Sequence, residues 1–292
     1  MTEGKAAPAA AEAAPAAAET APESNSRNLL MRIVVAAVLI PLAVAIAYFG
    51  GWLWIALVTA AAIGLFVEWL AVVGLAGAVA LAIRGGVALA LGGICFAVGR
   101  IDAALIVLTI GLVAVVSTAP DRRSWAAAGF CYAAAAEIAS VLLRLDPVMG
   151  FAALMFVLVI VWVTDSGGYF AGRGIGGPKL WPRVSPKKTW AGAVGGFVAS
   201  LAVGYGFAVF DLGRTVPLLL AAAVLSVASQ LGDLLESAVK RRFGVKDSSH
   251  IIPGHGGLMD RLDGFVAAVV LAALFGFLRG GADGVGRGLM IW

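Results

Sequence analysis

The sequence predicts an all-α, polytopic integral membrane protein of about nine transmembrane helices, with its functional site on the cytoplasmic face. Three observations carry that expectation. Of the 292 residues, 61% are hydrophobic and 13% charged, and the mean hydropathy is +0.98. A soluble domain carries roughly 25% charged residues, so this chain cannot cover its own surface with polar groups. The apolar residues also fall into long runs, and basic residues gather in the connections on one side. Soluble enzymes and disordered scaffolds are thereby excluded. Collagen is excluded too, because the 38 glycines keep no three-residue period. A net charge of +4 is too small to indicate a nucleic-acid partner.

Residues 1–26 are rich in Ala, Pro and Glu and nearly free of large apolar side chains, so they read as a disordered tail. A signal peptide is not expected, because the first apolar run begins at Leu29 and is long enough to span. A spanning helix needs about 20 apolar residues to cross a hydrocarbon core about 30 Å thick. Nine runs qualify: 29–49, 52–73, 76–98, 101–119, 125–143, 148–164, 190–210, 216–235 and 262–278. The third is the least regular, because Arg84 interrupts it and Gly85 and Gly86 follow. Residues 27–163 form an N-terminal set of helices, and 164–292 a C-terminal region that carries the chemistry. Frequent Ala and Gly let helix backbones approach closely in lipid. Cys95 and Cys131 lie in apolar runs and read as small core residues rather than a disulfide.

Orientation follows from the basic residues. With the N-terminus inside, sixteen of the 21 Lys and Arg fall on the cytoplasmic side. That puts the N-terminus and the site on the cytoplasmic side, and the membrane expected is a bacterial-type cytoplasmic membrane. Two long polar connections, 165–189 and 232–263, lie two spans apart and therefore on the same face. The second contains both histidines, His250 and His255.

Asp233, Glu236, Ser237 and Lys240 fall at i, i+3, i+4 and i+7, one face of a helix continuing from the eighth run. A further helix begins near Asp260 and carries Asp260 and Asp263 close to its start. Carboxylates surrounded by Lys and Arg suit magnesium, which takes one or two protein carboxylates and completes its shell with water and substrate phosphates. The turn around Gly256 and Gly257 offers backbone N–H groups to an anion. In the first connection, Arg173, Lys179, Arg183, Lys187 and Lys188 suit phosphate groups, and the 185–189 segment adds hydroxyls at Ser185 and Thr189. The 172–177 match to a dinucleotide fingerprint is set aside, because it follows a membrane helix and no βαβ unit exists. Glu68 and Glu137 are intramembrane acids and so functional suspects. Trp52, Trp54, Trp125, Trp162, Trp181 and Trp190 read as interfacial anchors.

Ser237, Lys240, Arg241, Lys246, Asp247, His255, Gly256, Gly257, Asp260, Arg261 and Asp263 fall where the signature of the phosphatidate cytidylyltransferases places those residue types. The chain resembles that family strongly over about 164–264. It departs at Gly177, where many members have Lys, and at Ala191, where many have an acidic or amide residue. The resemblance implies a magnesium-dependent transfer of CMP from CTP to phosphatidate, with membrane lipids around the site; a second cation and a homodimer are compatible with it. On that reading Asp233 and Asp260 hold the metal. Ser237, Lys240 and His255 join them as catalytic residues, with Asp263 adjoining. Arg173, Ser185, Lys187, Lys188, Arg241, Lys246 and Arg261 bind substrate phosphates. A CTP-dependent polyprenol or phytol kinase is the alternative enzyme. An ion-coupled transporter is disfavoured, because the carboxylates cluster at one face without an internal repeat.

Overall fold

The computed structural model describes residues 37–119, 122–249 and 256–292. Its elements are α1 (Ala37–Phe49), α2 (Gly51–Val72), α3 (Val79–Ala97), α4 (Ile101–Thr118), α5 (Arg123–Leu145), α6 (Gly150–Gly174), β1 (Lys179–Trp181), β2 (Ser185–Thr189), α7 (Trp190–Val209), α8 (Thr215–Arg242), α9 (Met259–Gly280) and α10 (Val285–Met290). Among the described residues, α2 to α9 are eight helices long and apolar enough to cross a membrane. Of the first expected span only Ala37–Phe49 is described, and the expected tail lies outside the described residues.

Arg84 and its two glycines do not break α3, because Arg84 sits one to two turns inside the helix with its side chain exposed. The first polar connection is shorter than its composition predicts. Residues 165–174 continue α6 as helix, and an antiparallel hairpin of β1 and β2 fills the rest. Helix persists through this Gly-rich stretch because α7 packs directly on its backbone. A Cβ on Gly192 would lie 2.8 Å from the Gly168 carbonyl oxygen, and one on Gly196 would lie 2.4 Å from that of Thr164. The same logic joins α8 to α9, where a Cβ on Gly232 would meet the Asp263 carbonyl oxygen at 2.6 Å. Small residues thus set these helix spacings.

One end of the bundle gathers the basic side chains. Arg122 bonds to the Val73 carbonyl and its guanidinium covers the Phe243 ring, while Arg242 covers Trp125. At the opposite end, Arg144 bonds to the Ala47 and Tyr48 carbonyls at 2.6 and 2.8 Å. There, too, the buried Asp146 accepts the N–H groups of Val148, Met149 and Arg287 and the Arg287 guanidinium. Burial works against its charge, but these hydrogen bonds win and hold the Asp146 carboxyl below the usual carboxylate range. Trp54 is not an interfacial anchor: it is buried, and its indole N–H donates to the Ser140 carbonyl at 3.0 Å. Trp125 is half-buried against Phe243, whereas Trp52, Trp162, Trp181 and Trp190 are exposed. Both cysteines are free, and Cys131 is exposed.

A helical Gly→Ala change ordinarily stabilises by up to about 1 kcal/mol. Gly196→Ala should reverse that sign and lower the melting temperature in detergent, whereas Gly206→Ala, with open space around it, should hold or raise it. Asp146→Asn should cost about 1–3 kcal/mol at neutral pH. Because the folded carboxyl titrates below its unfolded value, that contribution is present above the unfolded value of about 4 and fades as pH falls through the lowered folded one. Melting curves of wild type and Asp146→Asn should therefore converge on acidification.

Candidate active site at the carboxylate end of the bundle

Helix α8 runs past the expected end of its apolar run to Arg242, so Asp233, Glu236, Ser237 and Lys240 share one face, as their spacing requires. Lys240 is nearly buried, with its ammonium 2.6 Å from Glu236 Oε2 and 2.5 Å from Asp260 Oδ1. One α8 cation thereby holds an α8 carboxylate and the first-turn carboxylate of α9. Removing one partner of such a buried pair strands the other charge and costs about 3–5 kcal/mol. Asp233 has different company. It pairs with Lys188 of β2, and the Ser237 hydroxyl donates to it at 3.4 Å.

Asp233 and Asp260, expected as a pair, thus bond to different lysines. Other carboxylates lie between them, close enough to repel one another. Asp165 interacts with Asp233, Asp233 with Asp263, Asp263 with Glu236, and Glu236 with Asp260. Five carboxylates of α6, α8 and α9 therefore form a string, with Lys188 and Lys240 as ion-pair partners of three of them. Among the described residues, no three His, Cys, Asp or Glu side chains form a ready-made metal centre. The donor set still suits a hard divalent ion completed by phosphate oxygens, since every donor is oxygen.

The Asp260 carboxylate also secures the segment ahead of α9. Its Oδ2 accepts the Ser248 N–H at 3.1 Å, the Ser248 hydroxyl at 3.0 Å and the Gly257 N–H at 3.1 Å. Behind this segment lies Glu68 of α2, which is 1% exposed. It accepts the hydroxyls of Ser248 and Ser249 at 3.0 and 2.5 Å and the N–H groups of Leu258 and Met259 at 2.8 and 2.7 Å. Glu68 is therefore buried in the site's foundation. Sequence reading marks its acidity but not its partners, which lie about 180 residues away in the chain. Ser248 carried no signal at all, standing between two signature positions. Glu137 is fully buried and accepts the Thr59 hydroxyl at 2.7 Å.

Around the carboxylates, β2 carries Ser185, half-buried, and Lys187, exposed. Arg173, near the end of α6, is exposed and donates to the Tyr169 hydroxyl at 2.8 Å. Arg241 is exposed and donates to the Val245 carbonyl, and Lys246 and Arg261 are exposed at the same end. His255 lies outside the described residues.

Fold and site define a membrane-spanning helical protein with carboxylates and lysines gathered at one end. The chain belongs to the cytidylyltransferase family, which matches residues 30–278. It is 52% identical over 159 residues to a protein of Brucella suis named phosphatidate cytidylyltransferase, a match covering 53% of this chain and 57% of that protein. Proteins of the same name from Haemophilus influenzae and Bacillus subtilis are 45% and 47% identical over 139 and 122 residues. Those matches cover 45% and 40% of this chain, and 48% and 44% of the relatives. The chain therefore matches about half the length of these curated relatives.

Gly257 touches both carboxylate systems: a Cβ there would lie 1.8 Å from Ser248 Oγ and 2.8 Å from Glu68 Oε2. Gly257→Ala should lower the melting temperature by the equivalent of about 1–3 kcal/mol, the usual cost of overpacking. Gly174→Ala, which meets nothing within 4 Å, should not.

Proposed function

We propose that this chain transfers CMP from CTP to phosphatidate, releasing pyrophosphate and leaving CDP-diacylglycerol in the membrane. The observation that carries the reading is the lysine-braced carboxylate string at one end of a membrane bundle, in a chain of the cytidylyltransferase family. One substrate is a lipid confined to the bilayer and the other a soluble polyanion, so the reaction needs a site where a bundle end meets water. We assign that end to the cytoplasmic face of a bacterial-type cytoplasmic membrane, on the charge asymmetry of the connections.

In the reaction a phosphatidate oxygen attacks the α-phosphorus of CTP. A new P–O bond forms as the bond to the β-phosphate bridging oxygen breaks, and pyrophosphate departs with that electron pair. The attacking oxygen is already ionised, so a covalent enzyme nucleophile is unnecessary. The protein's work is to position two polyanions and neutralise growing charge. Lys188 and Lys240 sit on carboxylates, placed to move between those partners and incoming phosphates. Arg173, Lys187, Arg241, Lys246 and Arg261 line the approach as cations, and the hydroxyls of Ser185 and Ser237 donate hydrogen bonds. Asp233 and Asp260 would hold magnesium, with Asp263 and Glu236 adjoining. When bound, that ion neutralises phosphate charge and polarises the reacting phosphoryl group.

The test is an assay of purified protein in detergent with phosphatidate, CTP labelled in the cytosine ring, and magnesium. Label should enter the lipid fraction. Asp233→Asn and Asp260→Asn should each lower the rate at least about 100-fold, in the range seen when a transition-state stabilising group is removed. Chelation should abolish turnover, and restored magnesium should return it. A lipid product that gains only phosphate would instead identify the kinase alternative, and no lipid product would end the reading.

A further inference from the structure

Glu68 has no place in the transfer chemistry, yet it is among the most heavily engaged carboxylates in the protein. Burying a carboxylate in an apolar bundle is costly unless hydrogen bonds replace its water. Here three donors and the Ser248 hydroxyl, which is shared with Asp260, do so, and all come from residues 248–249 and 258–259. Two of them are the N–H groups of Leu258, the N-cap residue of α9, and of Met259, its first residue. Those groups lack partners within any helix, and the N-cap residue Leu258 supplies no side-chain cap. A negative charge at this position also complements the helix dipole. The cap of α9 is thus provided from α2, across 190 residues of sequence.

The contact reaches further than a cap. Ser248 Oγ stands 3.0 Å from Glu68 Oε2 and 3.0 Å from Asp260 Oδ2. A hydroxyl has one proton to donate, so it serves one carboxylate at a time and couples the two. The Ser248 and Gly257 N–H groups hold the same Asp260 oxygen, while its other oxygen meets Lys240. One residue therefore separates Glu68 from the Asp260–Lys240 pair.

We propose that Glu68 is a positioning residue: it fixes the start of α9 and the Ser248–Ser249 segment, and through them the placement of Asp260 and Lys240. Its kinetic arm rests on the CMP-transfer reading, and its structural arm does not. A carboxamide keeps the size of Glu68 but turns an NH2 group toward hydrogen-bond donors. Glu68→Gln should lower kcat about 10- to 100-fold, the range typical of residues that orient a metal or phosphate ligand. KM for CTP and for phosphatidate should stay within about threefold if ground-state binding is untouched. Glu68→Asp should recover part of kcat. Ser249→Ala should lower kcat a few-fold alone and add nothing in the Glu68→Gln background, because both changes release the same clamp. Hydrogen exchange should quicken at residues 248–249 and 257–260 in Glu68→Gln, with exchange in α4 and α7 unchanged.

Unaltered kcat in Glu68→Gln, additive effects of the two substitutions, or a loss of activity matched by loss of folded protein would each overturn the proposal. If wild type makes no CDP-lipid, the activity reading fails by itself. The exchange comparison then decides the clamp: local quickening supports it, and identical exchange overturns it.

Discussion

Ionised groups stand in a chain built for lipid, and the arrangement around Asp260 makes that tolerable. Its carboxylate receives an ammonium and two backbone N–H groups and shares the Ser248 hydroxyl with Glu68, so protein donors stand in for much of its water. Take that away and Ser248 and Gly257 lose the acceptor that holds them to the start of α9. The rest of the site follows from it. Lys240 joins Asp260 to Glu236, and Lys188 brings the hairpin to Asp233.

Close contacts of small residues help the helices deliver these groups. Gly232 and Gly264 let α8 and α9 touch backbone to side chain, with Gly264 facing Ser229. Gly168, Gly192 and Gly196 do the same for α6 and α7, which brings the hairpin over the carboxylate end. In lipid there is little hydrophobic drive between helices, so close packing and hydrogen bonds carry association. The opposite end is closed by Asp146 and Arg144, leaving the carboxylate end as the place where charge concentrates.

Much of this was legible in the sequence because lipid imposes a plain rule of length and polarity. The span centres of α2 to α9 follow from it. The shared face of Asp233, Glu236 and Lys240 follows from helical spacing. What composition concealed was the fate of residues 165–189, where Gly and Pro suggested a loop although packing against α7 keeps 165–174 helical. Trp54 misled for a related reason, since a tryptophan near a span end can face the bundle as well as the interface. Long-range partners were the real blind spot. No local pattern says that Glu68 reaches Leu258, or that Asp233 and Asp260 take different lysines.

The central claim is that nucleotide and lipid phosphates meet at the Asp233–Asp260 end of the bundle. A structure with a non-hydrolysable CTP analogue and manganese in place of magnesium tests it most directly. The account predicts an anomalous peak beside Asp233 and Asp260, with Lys188 and Lys240 on the nucleotide phosphates. A nucleotide bound at the Asp146 end, or manganese remote from both aspartates, would contradict it.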